Sequence, residues 1–223
     1  MRRFAASTCE SSKGSADSLG LDFLNSIAVP VDTTVEFIGN GEDLLSWLDQ
    51  AHLVPKDVLE QFKNSAASGE LDTVATHARA FREWFRGFVV KHMGKPLASD
   101  AVAALDPLNR ILARDEAYGQ IVPLPDSAST DAATGLAFES RRRWRSSDTL
   151  LIPIARSIAD LLTTESFSDV KACQGHACTL LFVDHTRGRA RRRCNMAVCG
   201  NRAKQAAHRE RVGKAAESAQ RRA

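Results

Sequence analysis

The sequence lacks the features of a membrane-bound or exported protein. Its 223 residues contain no apolar run near the roughly 20 residues that a membrane-spanning helix needs. Arg2 and Arg3 stand near the start, but polar side chains follow them, so no signal peptide is predicted. The five cysteines are an odd number, which disfavours a complete set of disulfides. We therefore expect a cytoplasmic protein with reduced thiols and no membrane partner.

Signatures of catalysis are also missing. The sequence has no catalytic cysteine and histidine pair, no glycine-rich loop of the kind that cradles phosphates, and no nucleophile elbow. Aromatic residues make up only 6% of the chain, and Phe182 is the only one after Val170. Binding of single-stranded nucleic acid relies on stacking aromatics, so that mode is disfavoured. We expect a protein that is not an enzyme.

Four of the cysteines form two short loops of equal length. Four residues separate Cys173 from Cys178 and Cys194 from Cys199, and fifteen residues lie between the two pairs. Each loop can deliver two thiolates to one tetrahedral zinc ion, and four sulfur ligands leave no open position for water or substrate. We therefore predict one structural zinc ion held by these four cysteines, with His176 left out because the two loops then match.

Charge is unevenly distributed along the chain. The whole sequence has a net charge of +3, but residues 185–223 hold twelve Lys or Arg against Glu210 and Glu217. That segment carries +10, which leaves −7 for residues 1–184. A polyanion is the natural partner of such a basic segment. The predicted nucleic-acid contacts are Arg187, Arg189, Arg191, Arg192, Arg202, Lys204, Arg209 and Arg211.

Asn201 and Arg202, which follow the last cysteine loop, have two interpretations. Asn and Arg are the side chains that read adenine and guanine bidentately when a helix enters the major groove. Side chains beside metal-bound thiolates, in contrast, usually support the metal site. We favour support of the zinc site for Asn201 and leave both roles open for Arg202.

The residues before the cysteines predict a mainly helical domain with a small β-hairpin. Apolar residues recur at helical spacing over residues 42–52, 55–69, 70–92, 100–114 and 149–163. Residues 120–124 and 135–140 alternate as strands around a turn-rich segment. Pro107 predicts a kink or a late helix start. Residues 19–26 fit strand and helix alike. The arginines in 141–145 are interpreted as a solvated strand end whose positive charge is balanced by acidic side chains.

The fold class is therefore α+β, and we divide the chain into four parts. These are a disordered leader (1–17), a mainly helical domain (18–165), a four-cysteine zinc module (166–212) and a basic disordered tail (213–223). The module is predicted as a zinc knuckle, a hairpin and a helix. Its strand covers 180–183, a turn covers 184–188, residues 188–193 return to the second cysteine loop, and the helix begins near Asn195.

Two segments resemble known bacterial families. The residues from Ala172 onward resemble the CGNR zinc finger, whose naming tetrapeptide stands at Cys199-Gly200-Asn201-Arg202, preceded by Arg191-Arg192-Arg193-Cys194. The first part is similar to the ABATE domain that accompanies this finger, through Leu21-Asp22-Phe23-Leu24-Asn25-Ser26 and Trp47-Leu48. The resemblance implies a zinc-dependent, stress-induced transcription regulator.

We therefore expect a zinc-dependent nucleic-acid-binding protein, with DNA favoured over RNA. A DNA-binding transcription regulator of the stress-response type is the leading hypothesis. In that hypothesis the N-terminal domain binds a small ligand or pairs two copies into a homodimer. Two alternatives stay open: binding of structured RNA, and a protein-interaction module whose basic segment docks on an acidic partner.

Overall fold

The fold is mainly helical. The computed structural model describes residues 18–29, 34–124, 135–194 and 199. The α-helices are α1 (Leu19–Leu24), α2 (Gly41–Gln50), α3 (Lys56–Ser65), α4 (Glu70–His92), α5 (Asp106–Leu112) and α6 (Leu151–Thr164). The strands pair in sequence order as antiparallel hairpins: β1 (Ile27–Ala28) with β2 (Val35–Glu36), β3 (Ala117–Pro123) with β4 (Leu136–Arg142), and β5 (Val170–Ala172) with β6 (Leu181–Val183). The predicted α+β class is confirmed. The predicted leader, the helix near Asn195 and the basic tail lie outside the described residues.

The core forms where α1 packs between α4 and α6. The apolar face of α4, predicted over residues 70–92, carries Val74, Phe85 and Val89, which are almost fully buried. Residues 19–26, which fitted strand and helix alike, form α1 and a turn. Gly20 allows α1 to approach α6, because a Cβ atom at this position would lie 2.8 Å from the Ser157 carbonyl oxygen.

Two α-helices begin later than the apolar periodicity of the sequence predicts. Residues Ser99–Leu105 form a 3₁₀ helix, and α5 begins only at Asp106, with Pro107 in its first turn. The predicted late start is thus confirmed, since proline lacks the N–H that later helical positions need. Before α6, Ser147–Leu150 also form a 3₁₀ helix. Neither Ser147 nor Asp148 makes a side-chain capping bond at the start of this 3₁₀ helix or of α6, and the Ser147 hydroxyl donates to Glu70 instead.

The β3–β4 hairpin has one polar and one exposed apolar face. Side chains of Ile121, Leu136 and Phe138 lie on the apolar face and are 60%, 60% and 73% exposed. The Arg143 guanidinium lies 4.9 Å over the Tyr118 ring. The other three arginines in residues 141–145 are paired with acids, as predicted. Their ion pairs are Arg141 with Glu139 at 3.0 Å, Arg142 with Asp115 at 2.6 Å and Arg145 with Glu116 at 2.7 Å.

A buried ion pair fixes the first strands against α4. The guanidinium of Arg82, only 2% exposed, donates to both carboxylate oxygens of Glu36, at 2.7 and 2.6 Å. It also donates to the Ser26 hydroxyl at 2.9 Å. Burial raises the pKa of Glu36, but the hydrogen bonds from Arg82 and from the Ile38 N–H outweigh this effect and lower the pKa. Nothing in the sequence marks Arg82 as a buried residue, because an arginine in a long amphipathic helix ordinarily faces water.

The β5–β6 hairpin, which carries the first cysteine pair, lies on the same core as the helices. Phe167, Val170, Leu181 and Val183 are 5% exposed or less and belong to one apolar cluster with α1, α4 and α6. This cluster therefore crosses the predicted boundary between residues 165 and 166. No helix of the described residues is long and apolar enough to cross a membrane.

Replacing Arg82 by Met should lower the free energy of unfolding by about 3 kcal/mol, because the partly buried Glu36 carboxylate loses its cation. Glu83→Gln is the matched control: Glu83 contacts the same guanidinium at 3.0 Å but is 52% exposed, so its loss should cost less than about 1 kcal/mol. Urea unfolding followed by tryptophan fluorescence measures both. Equal losses for the two variants would contradict the role assigned to Arg82.

Candidate metal centre

The first cysteine loop is the tip of the β5–β6 hairpin. Cys173 directly follows β5, and its N–H donates to the Leu180 carbonyl at 2.9 Å, which closes the tip. Cys178 lies just before β6, so both sulfurs of this loop are presented at the end of the hairpin. Cys194 and Cys199 reach the same point from the following segment. The four Sγ atoms all lie within 4.8 Å of one another.

The spacing of the sulfurs fits a tetrahedral metal site. The Cys194 Sγ lies 3.8 Å from the Cys178 Sγ and 3.7 Å from the Cys199 Sγ. Zinc–sulfur bonds of about 2.3 Å in a regular tetrahedron place the sulfurs about 3.8 Å apart, whereas a disulfide would require about 2.05 Å. All four thiols are free of disulfides. Cys173, Cys178, Cys194 and Cys199 thus fit one structural zinc ion, as predicted.

His176 lies outside this cluster. Its side chain is exposed, and the group of potential metal ligands around the four sulfurs does not include it. The preference for four cysteines over a site that uses His176 is therefore confirmed. With four sulfur ligands the site is closed, so its chemistry is structural support.

Backbone amides point at the sulfur of Cys173. The N–H groups of Gly175 and Cys194 donate to its Sγ at 3.4 and 3.3 Å. Such bonds offset the negative charge of a four-thiolate centre. The buried Nε of Arg193 has no hydrogen-bond partner among the described residues, and Arg202 lies outside them.

Gly175 serves the site by its lack of a side chain. The residue with a left-handed backbone in this loop is Ala177, at φ 57°. A Cβ atom on Gly175 would lie 3.2 Å from the Cys199 Sγ and 3.3 Å from the Cys178 Cβ. Glycine at this position therefore provides the space in which the two cysteine loops approach each other.

The thiols differ in acidity because they share hydrogen bonds. A hydrogen bond from Cys194 lowers the pKa of Cys178 to about 5, helped by the Leu180 N–H. The same hydrogen bond raises the pKa of Cys194, and burial raises the pKa of Cys199 to about 11. Cys178 therefore ionises before Cys194 and Cys199. A zinc ion would have to displace the protons that these two thiols hold.

Asp184 organises the chain between the two cysteine pairs. This fully buried carboxylate accepts hydrogen bonds from the Lys171 ammonium at 2.7 Å and from the Arg191 N–H at 2.9 Å. The Thr186 N–H and hydroxyl donate to its other oxygen at 3.0 and 2.5 Å. Burial raises the pKa of Asp184, but these hydrogen bonds lower it more strongly. Asp184 therefore stays ionised and joins β5 to the returning chain.

This network replaces the pairing that we predicted for the module. We expected a hairpin in which the strand at 180–183 turns at 184–188 and residues 188–193 return to the second cysteine loop. Instead β6 pairs with β5, with Ala172 opposite Leu181 and Val170 opposite Val183. The physical reason is burial: Val170 and Val183 pack into the apolar core, whereas residues 185–193 are polar and turn around Asp184. The sequence feature that could have indicated this arrangement is the single Asp184 directly after an apolar strand.

The basic residues of the zinc module (166–212), called the finger below, fall into two groups. Arg189 forms an ion pair with Asp169 at 3.3 Å and donates to the Asp184 carbonyl. Arg191 donates to the carbonyls of Arg193 and Cys194, and its guanidinium lies 4.5 Å above the Phe182 ring.

Arg187 and Arg192, in contrast, are exposed, and their side chains contact no acidic partner among the described residues. The other predicted contacts, Arg202, Lys204, Arg209 and Arg211, lie outside the part of the chain that the structure describes. Nucleic-acid contact by any of these residues stays a prediction.

Comparisons with known families agree with this geometry. The CGNR zinc finger model matches residues 170–212, which contain all four cysteines. The ABATE model, described as "Putative stress-induced transcription regulator", matches residues 17–165 of the 223. The chain belongs to the ABATE family. A search of curated proteins found no match. This ABATE protein thus carries a CGNR finger whose four cysteines fit one structural zinc ion.

Replacing Cys194 by Ser should abolish stable zinc binding, because its sulfur lies next to those of Cys178 and Cys199. We expect about one zinc ion per wild-type chain and close to none per variant chain, measured by inductively coupled plasma mass spectrometry. Cys9→Ser, which changes the cysteine outside the cluster, should keep the wild-type content. Retention of a full zinc equivalent by Cys194→Ser would contradict the assigned ligand set.

Proposed function

We propose that the protein is a cytoplasmic, zinc-dependent, DNA-binding transcription regulator of the stress-response type. The observation that carries the proposal is the position of Arg187 and Arg192, which are exposed beside the four-cysteine site and have no acidic partner among the described residues. Unpaired guanidinium groups on a rigid support are suited to bind phosphates. The description of the ABATE family supports the regulatory part of the proposal.

Within this proposal the arginines of the finger have different tasks. Arg189 and Arg191 already contact Asp169, Asp184 and the Phe182 ring, so they hold the finger together. Arg187 and Arg192 bind the phosphate backbone and release counterions. The sequence beyond Cys199 adds further Lys and Arg residues, whose positive charge would strengthen the attraction to the polyanion.

The charge of the rest of the chain orients the approach of the polyanion. Residues 1–184 carry a net charge of −7, and the acidic side chains next to Arg141, Arg142 and Arg145 pair with these arginines. A polyanion is repelled by that part and attracted by the finger.

Structured RNA offers similar phosphates, and DNA is proposed as the partner because of the family description. We also propose a binding role without catalysis, since a four-sulfur zinc site has no open position.

Two further parts of the proposal concern the N-terminal domain. The exposed face of Ile121, Leu136 and Phe138 supports pairing of two copies, because one patch packed against itself gives a two-fold dimer. A small ligand would bind in the groove of about 590 Å³ between α2, α3 and the start of α4. The groove is lined by Glu42, Leu45, Ser46, Asp49, Lys56, Leu59, Glu60, Lys63 and Leu71.

Replacing both Arg187 and Arg192 by Gln should weaken binding to every duplex sequence alike. Each phosphate contact contributes about 0.9 to the slope of log K against log salt, so the slope should become shallower by about 2. Fluorescence anisotropy of the zinc-loaded chain, titrated with duplex DNA at several salt concentrations, measures both quantities. Structured RNA titrated in parallel separates the two polymers.

Arg110→Gln is the matched control for this experiment. Arg110 is 78% exposed in the N-terminal domain and forms an ion pair with Asp106 at 2.6 Å. Its replacement removes one positive charge from a surface that is not assigned to binding, so the slope should stay unchanged. The proposal fails if neither polymer binds the wild type at moderate salt, or if the double variant and the control show equal slopes.

A further inference from the structure

The finger is hydrogen-bonded to the end of α1 through one amide side chain. The Nδ2 of Asn25 donates to the Leu181 carbonyl at 2.9 Å, and the Leu181 N–H donates to the Asn25 Oδ1 at 3.0 Å. Asn25 therefore satisfies both backbone groups of Leu181, as a neighbouring strand would. A second bond lies nearby, where the Val29 N–H donates to the Thr179 hydroxyl at 3.1 Å.

Apolar contacts lie beneath these hydrogen bonds. Leu181 and Val183 are 5% and 1% exposed and belong to the core that α1, α4 and α6 build. The Gly94 N–H, just after α4, donates to the Phe167 carbonyl at 2.8 Å. Leu181 is three positions from the zinc ligand Cys178. A shift of β6 on the helices would therefore move a zinc ligand.

The β5–β6 hairpin depends on support from both of its neighbours. It contains three residue pairs, and an isolated two-stranded hairpin is at best marginally stable in water. Zinc would hold its tip through Cys173 and Cys178, while α1 holds its outer edge through Asn25. A metal ion that binds best when the hairpin is ordered stabilises everything that packs on the ordered hairpin.

We infer that zinc binding and the stability of the N-terminal domain are energetically coupled, and that Asn25 is the positioning residue that carries much of this coupling. The coupling is reciprocal, so the domain raises zinc affinity as much as zinc raises the stability of the domain. The inference requires the four-cysteine site but not nucleic-acid binding, so a failure of the DNA experiment would leave it standing.

Tryptophan fluorescence offers a direct test in the full-length chain. Trp47, Trp84 and Trp144 all lie in the N-terminal domain, and the finger contains no tryptophan. Thermal unfolding followed by this signal therefore reports the domain alone. We expect removal of zinc with a chelator to lower the midpoint by about 5 °C, the shift that corresponds to about 2 kcal/mol in a chain of this size. An unchanged midpoint would overturn the inference.

Variants of Asn25 test whether this residue carries the coupling between zinc binding and the stability of the N-terminal domain. Asn25→Ala should bind zinc about tenfold more weakly, measured by competition with a chromophoric chelator at a temperature where the domain is folded. Its zinc-dependent midpoint shift should fall to about half of the wild-type shift. Asn64→Ala is the matched control, since Asn64 is exposed on α3, and both quantities should match the wild type. Equal zinc affinity in the two variants would overturn the role of Asn25.

A milder variant covers the case in which Asn25→Ala does not fold. Thr179→Val keeps the shape of the side chain and removes only the hydrogen bond from the Val29 N–H. We expect a fall in zinc affinity of about threefold, in the same direction. Wild-type affinity in this variant, together with an unfolded Asn25→Ala, would overturn the inference that these contacts carry the coupling.

Discussion

Four cysteine sulfurs within 4.8 Å of one another are the constraint on which the C-terminal part of the chain depends. A hairpin of three residue pairs and a polar returning segment cannot order themselves by burial alone. A tetrahedral metal ion would close the hairpin tip, while Asp184 fastens the returning chain to β5 and the helices cover the apolar side of the hairpin. All three supports act on the short β5–β6 hairpin. One apolar core therefore extends from the helices into the CGNR finger.

Arginines have three different physical roles in this molecule. Arg82 is buried and neutralises Glu36 inside the helical domain, whereas Arg191 lies over Phe182 and stiffens the finger. Arg187 and Arg192 are left exposed, which suits contact with a polyanion. Net charge therefore overstates the number of cations that a polyanion can reach.

The metal ligands and the long helix could be predicted from the sequence because both are local. Cysteine spacing reports a metal site directly, and the apolar period of residues 70–92 reports α4. Arg82 and Asn25 could not be assigned, because each acts through a partner far away in sequence. Glu36 is 46 residues from Arg82, and Leu181 is 156 residues from Asn25. The pairing of β5 with β6 was missed for a related reason, since it is decided by which strand the helical core buries.

X-ray absorption at the zinc edge, recorded on the purified full-length protein, reports the type, number and distance of the zinc ligands. A closed site made of four thiolates gives four sulfur ligands at about 2.3 Å and no nitrogen or oxygen ligand. A shell of three sulfurs with one imidazole or water would contradict it, and would return His176 or an open coordination position to the description of the site.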